Sequence, residues 1–183
     1  MRKLVVSEFV SLDGVMEDPM WTFQFGSPEQ EKFKLDELFA SDALLLGRVT
    51  FEGFASAWPS MSDEAGFADR MNSLPKYVVS TTLEEPLEWN GSLIDAGNLA
   101  EEIGRLKEQD GDDILVGGSA TLVNALLQHN LMDMLHLMVF PVVVGGGRKL
   151  FEGGVENKAL KLVGTQTFST GVVVLTYEPQ RGE

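Results

Sequence analysis

Two segments limit the fold of this chain more than any other feature: LLLGRVTFEGF, Leu44 to Phe54, and ILVGGSATLV, Ile114 to Val123. In each, a short apolar run ends in glycine and passes at once into a helix whose first turn carries a hydroxyl residue. Glycine weakens the interior of a strand or a helix, so it belongs at the junction between them. There it serves a bound ligand, the close approach of a neighbouring element, or a tight turn. A short continuous apolar run reads as a strand covered on both faces, and strands alternating with helices build a parallel sheet.

The rest of the chain extends this alternation. Lys3 to Val10 is an apolar, β-branched run and reads as a buried strand. The segment SLDGVMEDPMWTFQFG follows, in which Met16, Met20, Trp21, Phe23 and Phe25 are interleaved with turn formers. A loop so apolar covers something rather than standing in solvent. Ser27, Pro28 and Gln30 mark a helix start, and the helix is expected to run to about Phe39. TFEGFASAW puts Phe51, Phe54, Ala55 and Trp58 on one helical face, while Pro59 to Pro75 reads as loop with some helix. KYVVST is a strand and SLID a weaker one. Asn98 and Glu101 open a helix that aligns Leu99, Ile103 and Leu106, and Leu122, Val123, Leu126 and Leu127 form the inward face after the glycine pair. MLHLMVFPVVV reads as a strand interrupted by Pro141, and KALKLVGTQTFSTGVVVLTYEP as a hairpin turning near Ser169 to Gly171. The expectation is one three-layer α/β/α domain over residues 1–183, with a mostly parallel central sheet and an antiparallel C-terminal hairpin.

Charge narrows the partners. The formal net charge is −14 over 183 residues, and the 14 Lys and Arg are scattered without a basic run. Such a surface repels phosphate backbones and anionic lipid, so neither nucleic acid nor membrane is expected as a partner. The chain has no cysteine, which removes thiol catalysis and Cys-type zinc sites and fits a reducing compartment. No two histidines have ligand spacing, so no metal is expected. Glu8 and Ser7 break the first apolar run, no signal peptide is evident, and no stretch nears the roughly 20 apolar residues of a membrane span. A soluble, cytoplasmic protein is expected.

Helix N-termini present unpaired backbone N–H groups and a partial positive charge, and ligands of open α/β sheets settle at the carboxyl ends of strands. The two glycine junctions are therefore candidates for the two phosphates of a dinucleotide. Arg48 adds a permanent cation beside the first, and Ser80, Thr81 and Thr82 place hydroxyls after a third strand. Neither G-x-G-x-x-G after the first strand nor G-x-x-x-x-G-K-[ST] is present, so the common nucleotide fingerprints do not apply.

Taken in order, SLDG, LLLGRVTFEGF, YVVSTTL, ILVGGSATLVNALL and HLMVFPVVVGGGRKLF resemble the dihydrofolate-reductase-like superfamily. The resemblance covers nearly the whole chain. It is closer to the reductase domain at the C-terminal end of bacterial bifunctional riboflavin-biosynthesis deaminase–reductases (the RibD C-terminal domain family) and its stand-alone relatives. No Cys/His zinc signature accompanies it, so the bifunctional enzyme is not expected. The resemblance implies an NADPH-dependent reductase that transfers hydride to a C=N or C=O group of a small heterocycle, either a pterin or a ribosylamino-pyrimidine. It implies that Gly47, Arg48, Val49 and Thr50 lie against the adenosine and phosphate part of NADPH, with Arg48 on the 2′-phosphate. Ser80, Thr81 and Thr82 would complete that pocket. Gly117, Gly118, Ser119, Ala120 and Thr121 would pack under the pyrophosphate and nicotinamide, where a Cβ on either glycine would strike the cofactor.

Asp13 and Gly14 match the family's DG turn. Asp13 is either a polar contact to substrate or cofactor or a turn residue. Glu31 has the spacing of the acid of a dihydrofolate reductase or is a solvated helix charge. Trp21 and Phe25 are candidates for the cavity wall, and Arg148 for an anionic substrate group. His129 and His136 read as a helix-end and a satisfied core or interface histidine. The apolar C-terminal strands suggest a homodimer. A second reading is an NADP(H)-binding protein without turnover, regulatory or stress-related.

Overall fold

The computed structural model describes residues 1–153 and 156–180. Eight strands form one sheet: β1 (Leu4–Val10), β2 (Ser41–Gly47), β3 (Lys76–Ser80), β4 (Gly91–Asp95), β5 (Asp113–Gly117), β6 (Met134–Val139), β7 (Leu160–Thr167) and β8 (Val173–Pro179). Their spatial order is β4-β3-β2-β5-β1-β6-β8-β7. The six strands from β4 to β6 pair in parallel, and β8 joins β6 and β7 antiparallel. The expected α/β/α architecture, parallel centre and antiparallel hairpin are therefore borne out.

Period-two alternation sets the two cores. Leu4 and Val6 of β1, Ala43 and Leu45 of β2, and Ile114 and Val116 of β5 pack against α4 (Leu99–Glu108) and α5 (Ala120–Gln128). Val5, Leu44, Leu46, Val78 and Leu115 face the other way, toward α1 (Pro28–Phe39), α2 (Arg48–Ala57) and α3 (Phe67–Ser73). β1 and β5 are covered on both faces, which is why their sequences read as continuous apolar runs. A third cluster gathers Met138, Phe140, Phe168, Val172 and Val174 with Trp21, Phe25 and Phe33, so the aromatic first loop is indeed packed.

Local chemistry caps some of the helices. Ser27 accepts the backbone N–H of Gln30 as expected at the start of α1. Asn98 does not cap α4; Asp95 instead accepts the N–H of Gly97 in a short turn that leads into the helix. β6 stops at Val139, two residues before Pro141, and residues 140–150 continue as irregular chain. Among the described residues, no helix is long and apolar enough to cross a membrane.

Candidate functional site

The register of the central strands opens a crevice. β5 pairs with β1 only as far as Ser7 opposite Gly117, whereas β1 runs on beside β6 with Glu8, Phe9 and Val10 opposite Leu137, Met138 and Val139. From Glu8 onward, the β5 side of β1 has no strand. β2 and β3 end nearby at Gly47 and Ser80, so the carboxyl ends of four parallel strands surround one cleft of about 1190 Å³. That volume exceeds the roughly 300–1,000 Å³ usual for one small molecule and suits a dinucleotide with a second small ligand.

The two glycine junctions build the same wall by docking on each other. A Cβ on Gly47 would lie 2.8 Å from the Ser119 hydroxyl, and one on Gly118 would lie 2.6 Å from the Thr50 hydroxyl. Gly118 also has φ +71°, where a side chain is strained. Thr50 and the backbone turn therefore already require glycine here, a reason within the protein that stands apart from the expected contact with the cofactor. Gly117 differs: a Cβ there meets nothing within 4 Å, so it would project into open space at the cleft.

Gly47, Arg48, Val49, Thr50, Ser80, Thr81, Thr82, Gly117, Gly118, Ser119 and Thr121 all line the cleft, while Ala120 is buried behind it. The start of α2 has no side-chain cap, which leaves its first N–H groups available to an anion. Ser119, in contrast, caps α5 by accepting the N–H of Leu122 at 3.2 Å. Arg48 pairs with Glu52 at 3.1 Å on the exposed rim. Arg148 lines the cleft and donates to the Thr121 hydroxyl at 2.8 Å.

Asp13, Gly14, Trp21, Phe25 and Glu31 do not line the cleft. The Asp13 carboxylate accepts from the Ser11 hydroxyl and from the backbone N–H groups of Val144 and Gly145 at 3.1 and 2.9 Å. The Ser11 hydrogen bond first, then those two backbone donors, holds its pKa down at about 2. Gly14 takes φ +81° in the turn and accepts the N–H of Leu150. Together they zip the first loop to residues 142–150, which sets Met16, Glu17, Asp18 and Arg148 on the cleft wall. Trp21 and Phe25 pack on Phe140, Trp21 edge-on at 5.6 Å. Glu31 is exposed on α1.

Sequence reasoning passed over the polar core of the cleft. Glu8 is 4% exposed, lines the cleft, and has one carboxyl oxygen, Oε1, with no hydrogen-bond partner among the described residues. Burial pushes its pKa up to about 8 against the lowering charge of Lys34, with Glu37 adding to the rise. Lys34 donates to the Ser7 hydroxyl at 2.9 Å and to Glu37 at 2.5 Å. Burial alone would raise the Glu37 pKa, but the Lys34 charge and hydrogen bonds from His136, Lys34 and Ser7 hold it at about 2. His136 Nδ1 lies 2.7 Å from Glu37 Oε1, and the ionised carboxylate makes that nitrogen the donor. The available signal was a carboxylate inside a strand read as buried on both faces.

The RibD C-terminal domain model matches residues 2–174. The chain belongs to the RibD C-terminal domain family. Within curated proteins, it is 31% identical to YyaP of Bacillus subtilis (strain 168) over 179 residues, covering 96% of this chain and 94% of that protein. Among solved structures, a putative riboflavin biosynthesis protein from Shewanella superposes with a TM-score of 0.74 at 20% identity, over 98% of this chain and 99% of that one. Dihydrofolate reductase of Enterococcus faecalis, complexed with NADP(H), superposes with a TM-score of 0.62 at 14% identity, over 98% and 97%. This RibD C-terminal domain therefore has the fold of riboflavin-biosynthesis and dihydrofolate reductases.

Proposed function

We propose that this protein is a cytoplasmic NADPH-dependent reductase acting on the C=N or C=O group of a small heterocycle, a pterin or a ribosylamino-pyrimidine. The observation that carries the reading is the pair of interlocked junctions, Gly47–Thr50 and Gly117–Thr121, on the wall of one cleft at the carboxyl ends of the strands. The chain fits the cofactor. The uncapped N-terminus of α2 and Arg48 offer N–H groups and a fixed positive fork to phosphate, and Ser80, Thr81 and Thr82 offer hydroxyls beside them. Gly117 leaves room for a flat ring against the end of β5. Bound there, the nicotinamide would supply the hydride, and the protein supplies position, exclusion of water and a proton.

Arg148 and Lys34 are the other cations of the cleft; Lys34 is held by Glu37 and Ser7, which leaves Arg148 to meet an anionic group of the substrate. The first loop, pinned by Asp13, holds Met16 and Arg148 as the outer wall. The reading includes a homodimer formed through the exposed C-terminal strands.

Isothermal titration with NADPH and NADH tests the cofactor assignment. NADPH is expected to bind at least tenfold more tightly than NADH, and Arg48→Ala to remove most of that preference while leaving NADH unchanged. Equal affinities in the unmodified protein would overturn the placement of the 2′-phosphate at Arg48. Absence of binding by either nucleotide would overturn the reductase reading itself.

A further inference from the structure

We propose that Glu8 is the proton donor of the cleft, delivering its carboxyl proton to the nitrogen or oxygen of the bond being reduced, with Lys34 and Glu37 as positioning residues that tune it. The proposal rests on the reductase reading above. Its basis is geometric. Glu8 is the first residue of β1 past the end of β5, at the floor of the cleft and beside Gly118. It is 4% exposed, yet Oε1 has no partner among the described residues. A buried polar atom left unpaired carries a desolvation cost, which a hydrogen bond to a bound ligand would offset.

The groups facing it decide its protonation. From α1 come Lys34 and Glu37, and from β6 comes His136, joined to Glu37 at 2.7 Å. From the loops and α2, the cleft wall adds Glu17, Asp18, Arg48 and Arg148. The Lys34 ammonium is committed to Glu37 and Ser7, so it does not ionise Glu8 outright. Burial keeps the Glu8 carboxyl protonated up to about pH 8. Near neutral pH it is therefore an acid, which is the state a donor needs.

The step balances. With NADPH bound, a ring C–H bond of its nicotinamide would break and its two electrons and proton would form the new C–H bond at the substrate carbon. The π pair of the C=N or C=O bond becomes a new N–H or O–H bond to the Glu8 proton. The carboxyl O–H bond breaks, and the carboxylate regains a proton from water.

Carbon-13 NMR of protein labelled at the glutamate side-chain carboxyls tests the protonation directly and needs no substrate. One resonance is expected to titrate near pH 8 and to be missing in Glu8→Gln. Glu37→Gln should move that titration to lower pH and Lys34→Met to higher pH, opposite shifts that a merely structural role would not produce. NADPH oxidation with dihydrofolate as the probe supplies the second readout. The rate should fall as pH rises through about 8, and Glu8→Gln should lower it by roughly a hundredfold or more. NADPH affinity should survive that substitution. No carboxyl titrating above pH 6, or a Glu8→Gln rate within threefold of the unmodified protein, would overturn the proposal. Failure of the unmodified protein to bind NADPH would instead sink the reductase reading.

Discussion

At Gly117 and Gly118, adjacent residues with the same side chain are glycine for different reasons. Gly118 sits at φ +71° with the Thr50 hydroxyl 2.6 Å from where its Cβ would be, so a side chain there is both strained and blocked by protein. Gly117 faces open space. We therefore expect Gly118→Val to lower stability by roughly 1–3 kcal/mol in urea unfolding. Gly117→Val should leave the unfolding midpoint nearly unchanged yet weaken NADPH binding at least tenfold. The reverse pattern would show that the cofactor lies elsewhere. The need for glycine was legible in the sequence because backbone permissiveness is a local property. What each glycine makes room for was not, since Thr50 is far from Gly118 along the chain and meets it only through the pairing of β2 with β5. Glu8 was hidden for the same reason. Its partners Lys34 and Glu37 lie on α1, and nothing in the spacing of residues 8, 34 and 37 announces that this helix crosses β1 there.

Elements whose boundaries are set by their own residues were readable, and those set by neighbours were not. The α1 start at Ser27 and Pro28 follows from cap chemistry alone. The long strand expected from Met134 onward is instead cut at Val139. Residues 140–150 take their course from the first loop, to which they are tied by Leu12, Met16 and Leu150 backbone bonds. Asp13 is the clasp of that contact: it lies outside the cleft lining and holds the loop whose wall carries Arg148. Asp13→Asn should therefore speed amide exchange at Val144 and Gly145 and weaken ligand binding modestly, without altering the pH profile of turnover. The pH dependence has a definite sign. A carboxyl held at about 2 in the folded loop, against 3.8 as its ordinary value, keeps the clasp at neutral pH and loses it as pH falls through that window. Protection of those two amides should drop between about pH 4 and pH 2 in the unmodified protein and show no such step in Asp13→Asn. Unaltered exchange in the variant would mean that the loop is held by its backbone bonds alone.

The sheet ends on β7, which offers an unpaired backbone edge and an apolar surface on one side of the molecule. Leu162 and Val163 are 48% and 44% exposed, and Val173, Leu175 and Tyr177 of the adjoining β8 are only partly covered. A long exposed edge strand of this kind invites pairing unless charge or a covering element blunts it. Here Lys161 and Lys158 are the nearby cations of the β7 side, while the whole chain carries a formal charge of −14. Two copies must overcome mutual repulsion, so burial of the apolar strands has to drive association, and added salt should strengthen it by screening. Light scattering at micromolar concentration is expected to give a dimer mass in moderate salt, shifting toward monomer at low ionic strength. Leu162→Lys should return it to monomer while leaving NADPH affinity intact, because β7 is separated from the cleft by β8 and β6. A monomer at every ionic strength would mean that the exposed hairpin is tolerated without a partner. A dimer that persists in Leu162→Lys would move the interface to another face.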